Sequence, residues 1–357
     1  MSKDNLIKEY EEIVKQAREE LKKNIGEWED RYYKYILPDI DNINAMRKAF
    51  QVQDPIFAYL SVSRVLGSDT NQATFDLRYQ GQSVAEVIVK RIKSVGSAKE
   101  NNNSAFEVSL KIDKDRKESN LRDYKFSLGD GPTTKKYPWR DSKEAKSFRS
   151  FFSSRPPRAK DAPRLNQEHK FESEILTDML QTSSVCKNLI HVQPVLLGHG
   201  RFQMPTPFMA SKAKDGVIGY AGKNGGGIDI LAHAGIGRNA THLCVIEVKD
   251  QNKPDELPQN AMKQAIAYAT FIHELLRNKK NGKAWWNIFG FKGDVREKLT
   301  IYTVVAMPKG PKDEIYPGEI IKINENDKFE LHYIYIDSDA GVPIGTTLPK
   351  SAQPDTK

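Results

Sequence analysis

Cysteine is scarce in this chain. The 357 residues hold two, Cys186 and Cys244, which is too few for a disulfide framework and lacks any zinc spacing. The seven histidines show no ligand-like spacing either. No run of about 18 apolar residues occurs, which argues against a membrane-spanning helix. The opening Met-Ser-Lys-Asp-Asn leads into a charged helical pattern without the apolar core of a signal peptide. A reducing, cytoplasmic setting with no membrane partner is therefore the expectation. A Gly-x4-Gly-Lys-Ser/Thr loop is absent, as is any helicase or ATPase motif, so any motor must come from elsewhere.

What is present is ordinary globular material, 38% hydrophobic and 29% charged, in a chain long enough for two domains. Its net charge of +8 and pI near 9.1 favour an anionic partner, nucleic acid before membrane. The excess is concentrated. Residues 111–164 hold 16 Lys/Arg against 8 Asp/Glu, and 16 − 8 = +8 equals the charge of the whole chain. Within that stretch, Asp141-x-x-Glu144 reads as the start of a helix over Ser142–Ser153. Lys143, Lys146 and Arg149 lie there among Phe148, Phe151 and Phe152, a pattern that suits a phosphate backbone with nearby bases. The plain alternative makes the phenylalanines core and the charges a solvated face. Residues 154–164, rich in Pro and Arg, read as a linker.

The periodicity predicts an α+β N-terminal domain over 1–153. Apolar residues recur at helical steps through 3–36, from Leu6 and Tyr10 to Trp28 and Tyr32. This helix reads either as a dimerising coiled-coil arm or as an amphipathic helix packed on its own domain, and its irregular heptad favours the second. Helices near 40–51 and 55–66 follow, then strands near 73–79, 84–92, 106–112 and 124–128, with a polar loop at 94–104.

The second domain, 165–340, opens with a helix over 166–181 that carries Glu168 and Glu172 four apart. Strands near 190–197, 201–208 and 216–220 precede a Gly-rich turn flanked by Lys212, Lys214 and Lys223, read as a flexible entry to the next strand. Two runs then alternate as strands do: Ile228-Asp229-Ile230-Leu231 and Cys244-Val245-Ile246-Glu247-Val248-Lys249. Joined by a Gly/Asn loop they form a hairpin, which brings two carboxylates and one ammonium together. Buried charges need partners, and a metal ion is the simplest one for two carboxylates. A helix over 259–278 places Gln264 and Tyr268 on one stripe. The loop 278–296, with Lys279, Lys280, Lys283, Trp285, Trp286 and Lys292, reads either as a nucleic-acid contact or as buried tryptophans beside an exposed loop. Strands near 299–307 and 329–337 complete an α/β sheet, and 341–357 reads as a disordered tail.

Asp229-x17-Glu247-x-Lys249 followed by Gln264-x3-Tyr268 resembles the PD-(D/E)xK nuclease superfamily, in its RecB-like variant. One departure is that Gly227-Ile228 precede Asp229 where the founding motif has a Pro. The resemblance covers roughly 165–340. It implies a restriction-endonuclease-like fold, a mixed sheet flanked by helices, behind the separate N-terminal domain. It also implies a Mg²⁺-dependent DNA nuclease, with Mn²⁺ as substitute, that serves in restriction or defence against foreign DNA. Asp229, Glu247 and the Val248 carbonyl would hold the metal, with Glu168 or Glu172 from the first helix. Lys249, Gln264 and Tyr268 would complete the catalytic set, and Lys143, Lys146, Arg149, Lys223, Lys279 and Lys280 would meet nucleic acid. A second copy of the chain or a defence-complex partner is the further partner it allows. The rival readings are a binding module, or an RNase that cuts only within a larger complex.

Overall fold

The computed structural model describes residues 2–37, 56–60, 72–79, 82–92, 105–112, 124–128, 165–180, 191–197, 200–235, 241–250, 257–308 and 316–349, with 143, 146, 150 and 189. The expected helix near 40–51, the loop 94–104 and the linker 154–164 lie outside the described residues. Among the described residues no helix is long and apolar enough to cross a membrane.

The first helical pattern resolves into three pieces: α1 (Lys3–Lys23), α2 (Ile25–Glu29) and a π-helical turn (Asp30–Ile36). Asn24 ends α1, its side-chain amide donating to the Glu20 carbonyl at 2.8 Å. Lys22 and Lys23 in the last turn suit the negative end of the helix dipole. Leu6, Tyr10, Ile13, Val14, Ala17 and Leu21 bury one face.

Strands β1 (Ile56–Leu60), β2 (Gln72–Tyr79), β3 (Gln82–Ile92), β4 (Ala105–Ile112) and β5 (Tyr124–Leu128) come next. The stretch 56–60 was expected in a helix and is a strand instead. Ile-Phe-Ala-Tyr-Leu is a short apolar run that periodicity alone cannot assign. It becomes β1 because it has partners on both edges, β2 antiparallel and a later strand parallel.

Then come α3 (Leu165–Leu180), β6 (Val192–Pro194), β7 (Leu196–Leu197), β8 (Gly200–Phe202), β9 (Phe208–Met209), β10 (Gly219–Tyr220), β11 (Ile230–Ala234) and β12 (His242–Val248). The chain continues through α4 (Pro258–Arg277), α5 (Gly282–Ile288), β13 (Leu299–Pro308), β14 (Ile320–Lys322), β15 (Asp327–Ile336) and β16 (Pro343–Thr346). The stretch 278–296 is thus partly helical, with Trp285 and Trp286 buried on α5 rather than offered for stacking. The tail expected to be disordered is ordered as far as 349. β16 pairs with β15, and Thr347 Oγ1 accepts the Tyr333 N–H at 2.8 Å. Residues 350–357 lie outside the described residues.

The chain divides into two units, and the division does not follow sequence order. One unit is Arg31–Asp161 with Leu196–Phe202. Its sheet runs β5-β4-β3-β2-β1-β8-β7. The other is Met1–Asp30, Ala162–Val195 and Gln203–Lys357. The N-terminal domain expected over 1–153 therefore loses its first helix. α1 packs on α4, with Lys263 Nζ 2.8 Å from Glu9 and Arg18 Nε 3.0 Å from Glu274. An amphipathic helix packs on whichever apolar face complements it, and sequence order does not choose that face.

The sheet of this second unit is mixed, in the order β14-β15-β13-β12-β11-β6, with β16 also on β15. β12, β13 and β15 are parallel, while β11 is antiparallel to β12 and β6. Helices flank it: α3 and α4 both contact β12. Every residue of β12 and β13 is buried, as expected of parallel strands covered on both faces. α4 is anchored at its far end. His273 Nε2 and Arg277 Nε each lie 2.8 Å from Asp327 Oδ2, at the start of β15.

Candidate active site

Asp229 stands just before β11, between the buried Ile228 and Ile230. The glycine run before it is a close-packed ladder, not a flexible entry. The Thr206 N–H donates to the Gly226 carbonyl at 2.7 Å, Gly226 N–H to Phe208 at 2.9 Å and Ile228 N–H to Met204 at 2.8 Å. A Cβ on Gly225 would lie 2.0 Å from the Thr206 oxygen, and one on Gly226 would lie 2.9 Å from the Tyr268 hydroxyl. Glycine is needed because two backbones and a side chain approach too closely for anything larger.

The hairpin has the expected antiparallel register, with Ile230 opposite Ile246 and Ala234 opposite His242. Past its last backbone rung, the Asp229 side chain continues the pairing: Oδ2 accepts the Val248 N–H at 2.8 Å. Glu247 and Lys249 share a strand face, and Lys249 Nζ lies 2.7 Å from Glu247 Oε1. From α3, Glu168 Oε1 accepts a second bond from the same ammonium at 2.9 Å. Glu172, one turn along α3, is 2% exposed.

Electrostatics tie these groups into one site. Burial pushes the Asp229 carboxyl well above its usual range. Glu247 and Glu172 add to this, against the pull of Lys249 and the Val248 N–H. Burial alone would lower the Lys249 ammonium, but Glu247, Asp229 and Glu168 outweigh it and hold it well above its ordinary value. Burial, then Glu247 and Asp229, push the Tyr268 phenol up as well, so its proton stays on.

No family model, curated protein or solved structure matches the chain.

The structure thus brings together Asp229, Glu247, Lys249, Glu168, Glu172 and Tyr268. Gln264 is buried one turn before Tyr268 on α4. Lys249 stands between Glu247 and Glu168. Among the described residues, no group of three or more His, Cys, Asp or Glu side chains is arranged to hold a metal ion. Lys279 and Lys280 are exposed in the turn just past the end of α4. Lys143 and Lys146 are helical and exposed. Arg149 and the Lys223 side chain lie outside the described residues. Sequence reasoning gave no place to Gln203, whose Cγ would lie 3.2 Å from a Cβ on Gly227, or to Lys263, buried on α4 and paired with Glu9; these are packing contacts of the surrounding fold. Neither carries a sequence signal, since a Gln in a loop and a Lys on a helix read as surface.

Proposed function

We propose that the chain is a metal-dependent deoxyribonuclease of the PD-(D/E)xK kind, hydrolysing phosphodiester bonds in prokaryotic defence against foreign DNA. The supporting observation is the meeting of Asp229, Glu247 and Lys249 at one strand end, joined by Glu172 and Glu168 from α3 and Tyr268 from α4. Carboxylates outnumber ammonium there, and burial, with Glu247 and Glu172 adding to it, raises Asp229. An all-oxygen, anionic donor set of this kind suits Mg²⁺. The PD-(D/E)xK reading assigns the ion to Asp229, Glu247 and Glu172 with the Val248 carbonyl, although these carboxylates are not grouped around one point in this structure and Glu247 is paired with Lys249 instead. When bound, Mg²⁺ or Mn²⁺ supplies Lewis-acid polarisation of the phosphate and an acidified water.

The protein's own groups do the rest. Lys249 keeps its charge and places a donor where negative charge grows on the phosphate. Tyr268 keeps its proton and is fixed against Gly226, a second donor at the site. The exposed Lys143 and Lys146 supply phosphate contacts that carry no sequence information.

The test is purified protein with plasmid, linear and single-stranded DNA and with RNA, with and without Mg²⁺. Cleavage of DNA that requires the cation is expected, and Asp229→Ala or Glu247→Ala should abolish it with the fold intact. Lys249→Ala should still bind cation and DNA, yet cleave about 10²- to 10³-fold more slowly at saturating enzyme, the loss typical of an oriented donor. Full cleavage by either carboxylate variant rejects the assignment. RNA cleavage without DNA cleavage moves the substrate to RNA.

A further inference from the structure

We propose that Glu168 is the positioning residue for the Lys249 ammonium, and that Glu168 and Glu172 do separate work: Glu168 tethers the lysine, while Glu172 belongs with the carboxylates around Asp229. The tether rests on geometry alone, and its catalytic consequence rests on the nuclease reading above.

Lys249 Nζ has two partners, Glu247 Oε1 at 2.7 Å and Glu168 Oε1 at 2.9 Å. The side chains are exposed by 10% for Lys249, 5% for Glu247 and 40% for Glu168. Glu247 therefore meets the ammonium from the interior and Glu168 from the solvent side. Glu172 is 2% exposed and so lies deeper than Glu168, whose carboxylate is the one that reaches the ammonium. The four-residue spacing puts the two glutamates one turn apart on α3, so one helix face serves both groups.

The separation matters because Glu247 cannot serve two cations fully. Were its lone pairs to hold a divalent ion, Glu247 would bind Lys249 more weakly, and the ammonium would lose that anchor. Lysine is a flexible point charge on a four-carbon stem. Without a second anchor it would leave for water. Glu168 keeps it beside the reacting phosphate. A half-exposed ion pair contributes little to stability, so the effect of losing it should appear in function.

Three measurements on the full chain, using Glu168→Gln, Glu172→Gln and Lys249→Ala, test this. The first needs neither cation nor substrate. Trace acetylation with limiting acetic anhydride, read by mass spectrometry, should modify Lys249 several-fold faster in Glu168→Gln than in wild type and no faster in Glu172→Gln. Equal rates in wild type and Glu168→Gln overturn the tether.

The second is calorimetric titration with Mn²⁺. Glu172→Gln should weaken binding about 10- to 100-fold and Glu168→Gln by less than about twofold. A loss in Glu168→Gln as large as in Glu172→Gln makes Glu168 a cation ligand and overturns the division of work. The third is single-turnover cleavage. Glu168→Gln should slow it about 10- to 100-fold, and the same change in a Lys249→Ala background should slow it no further. Additive losses overturn action through Lys249. If wild type neither binds Mn²⁺ nor cleaves, the nuclease reading falls, and the acetylation rates alone decide the tether.

Discussion

Asp229 sits among groups that pull its charge in opposite directions. Burial, Glu247 and Glu172 favour the protonated acid, while Lys249 and the Val248 N–H favour the carboxylate, and the net shift is upward. The folded protein therefore keeps a proton that the unfolded chain gives up. From the ordinary carboxylate value to the raised one, stability falls as pH rises. Asp229→Asn retains an oxygen for the Val248 N–H and removes this charge. It should be about 0.5–2 kcal/mol more stable than wild type at neutral pH, a usual gain when a strained functional site is relieved. The gap should close below the ordinary carboxylate range, and cleavage should be lost. Urea melts over a pH series check this, and a variant less stable than wild type at neutral pH would contradict it. Strand alternation in the sequence singles out Asp229. Its proton affinity depends on a helix that the alternation does not describe.

The glycine run and the helix pair around α4 decide how accurately the site is built. Gly225 is packed so that a Cβ would meet the Thr206 carbonyl at 2.0 Å, and this obstacle is backbone rather than a side chain able to turn away. Gly225→Ala should cost about 1–3 kcal/mol by overpacking. It should also displace the strand that carries Asp229, so cleavage should fall further than stability alone accounts for. Denaturation midpoints measured alongside single-turnover rates would show this, and wild-type values for both would mean the ladder gives way freely. The same ladder explains why a Gly-rich segment without a nucleotide-loop spacing still belongs to the site. It brings the backbone against the Tyr268 hydroxyl rather than against a phosphate.

Taken whole, the chain places its first helix in the unit that begins again at Ala162. A fragment of residues 162–357 would leave the face of α4 uncovered and Lys263, 8% exposed, without Glu9. A buried charge that has lost its partner is strongly destabilising. The fragment should be markedly less stable than the full chain, and a peptide of residues 1–30 added in trans should raise its melting temperature. No binding by that peptide would mean α1 is dispensable. The distribution of charge gives a second expectation at this scale. DNA affinity should fall steeply with salt as condensed counterions are released. Neutralising Lys143, Lys146 and Arg149 together should reduce that slope by up to about 0.9 for each phosphate that no longer meets a cation. An unchanged slope would assign binding to another basic surface, with Lys279 and Lys280 the next to test.

Local pattern was enough for the hairpin of β11 and β12, for α3 and α4, and for most strands, because period-two and helical spacing are properties of neighbouring residues. It also pointed to Asp229, Glu247 and Lys249, because two adjacent strands bring them together, while Gln264 and Tyr268 were singled out by the resemblance to the Gln-x3-Tyr motif rather than by periodicity. The tertiary structure decided what depends on partners distant in the chain. Ile56–Leu60 became a strand because β2 and β8 bound its two edges. Residues 343–346 became ordered because β15 offered an edge. α1 joined α4 because two apolar faces and two ion pairs matched. The difference between Glu168 and Glu172, alike in the sequence, came from depth. One side chain reaches the Lys249 ammonium from the solvent side, the other is buried deeper on the same helix, and burial is set by the whole packed fold rather than by either residue's neighbours.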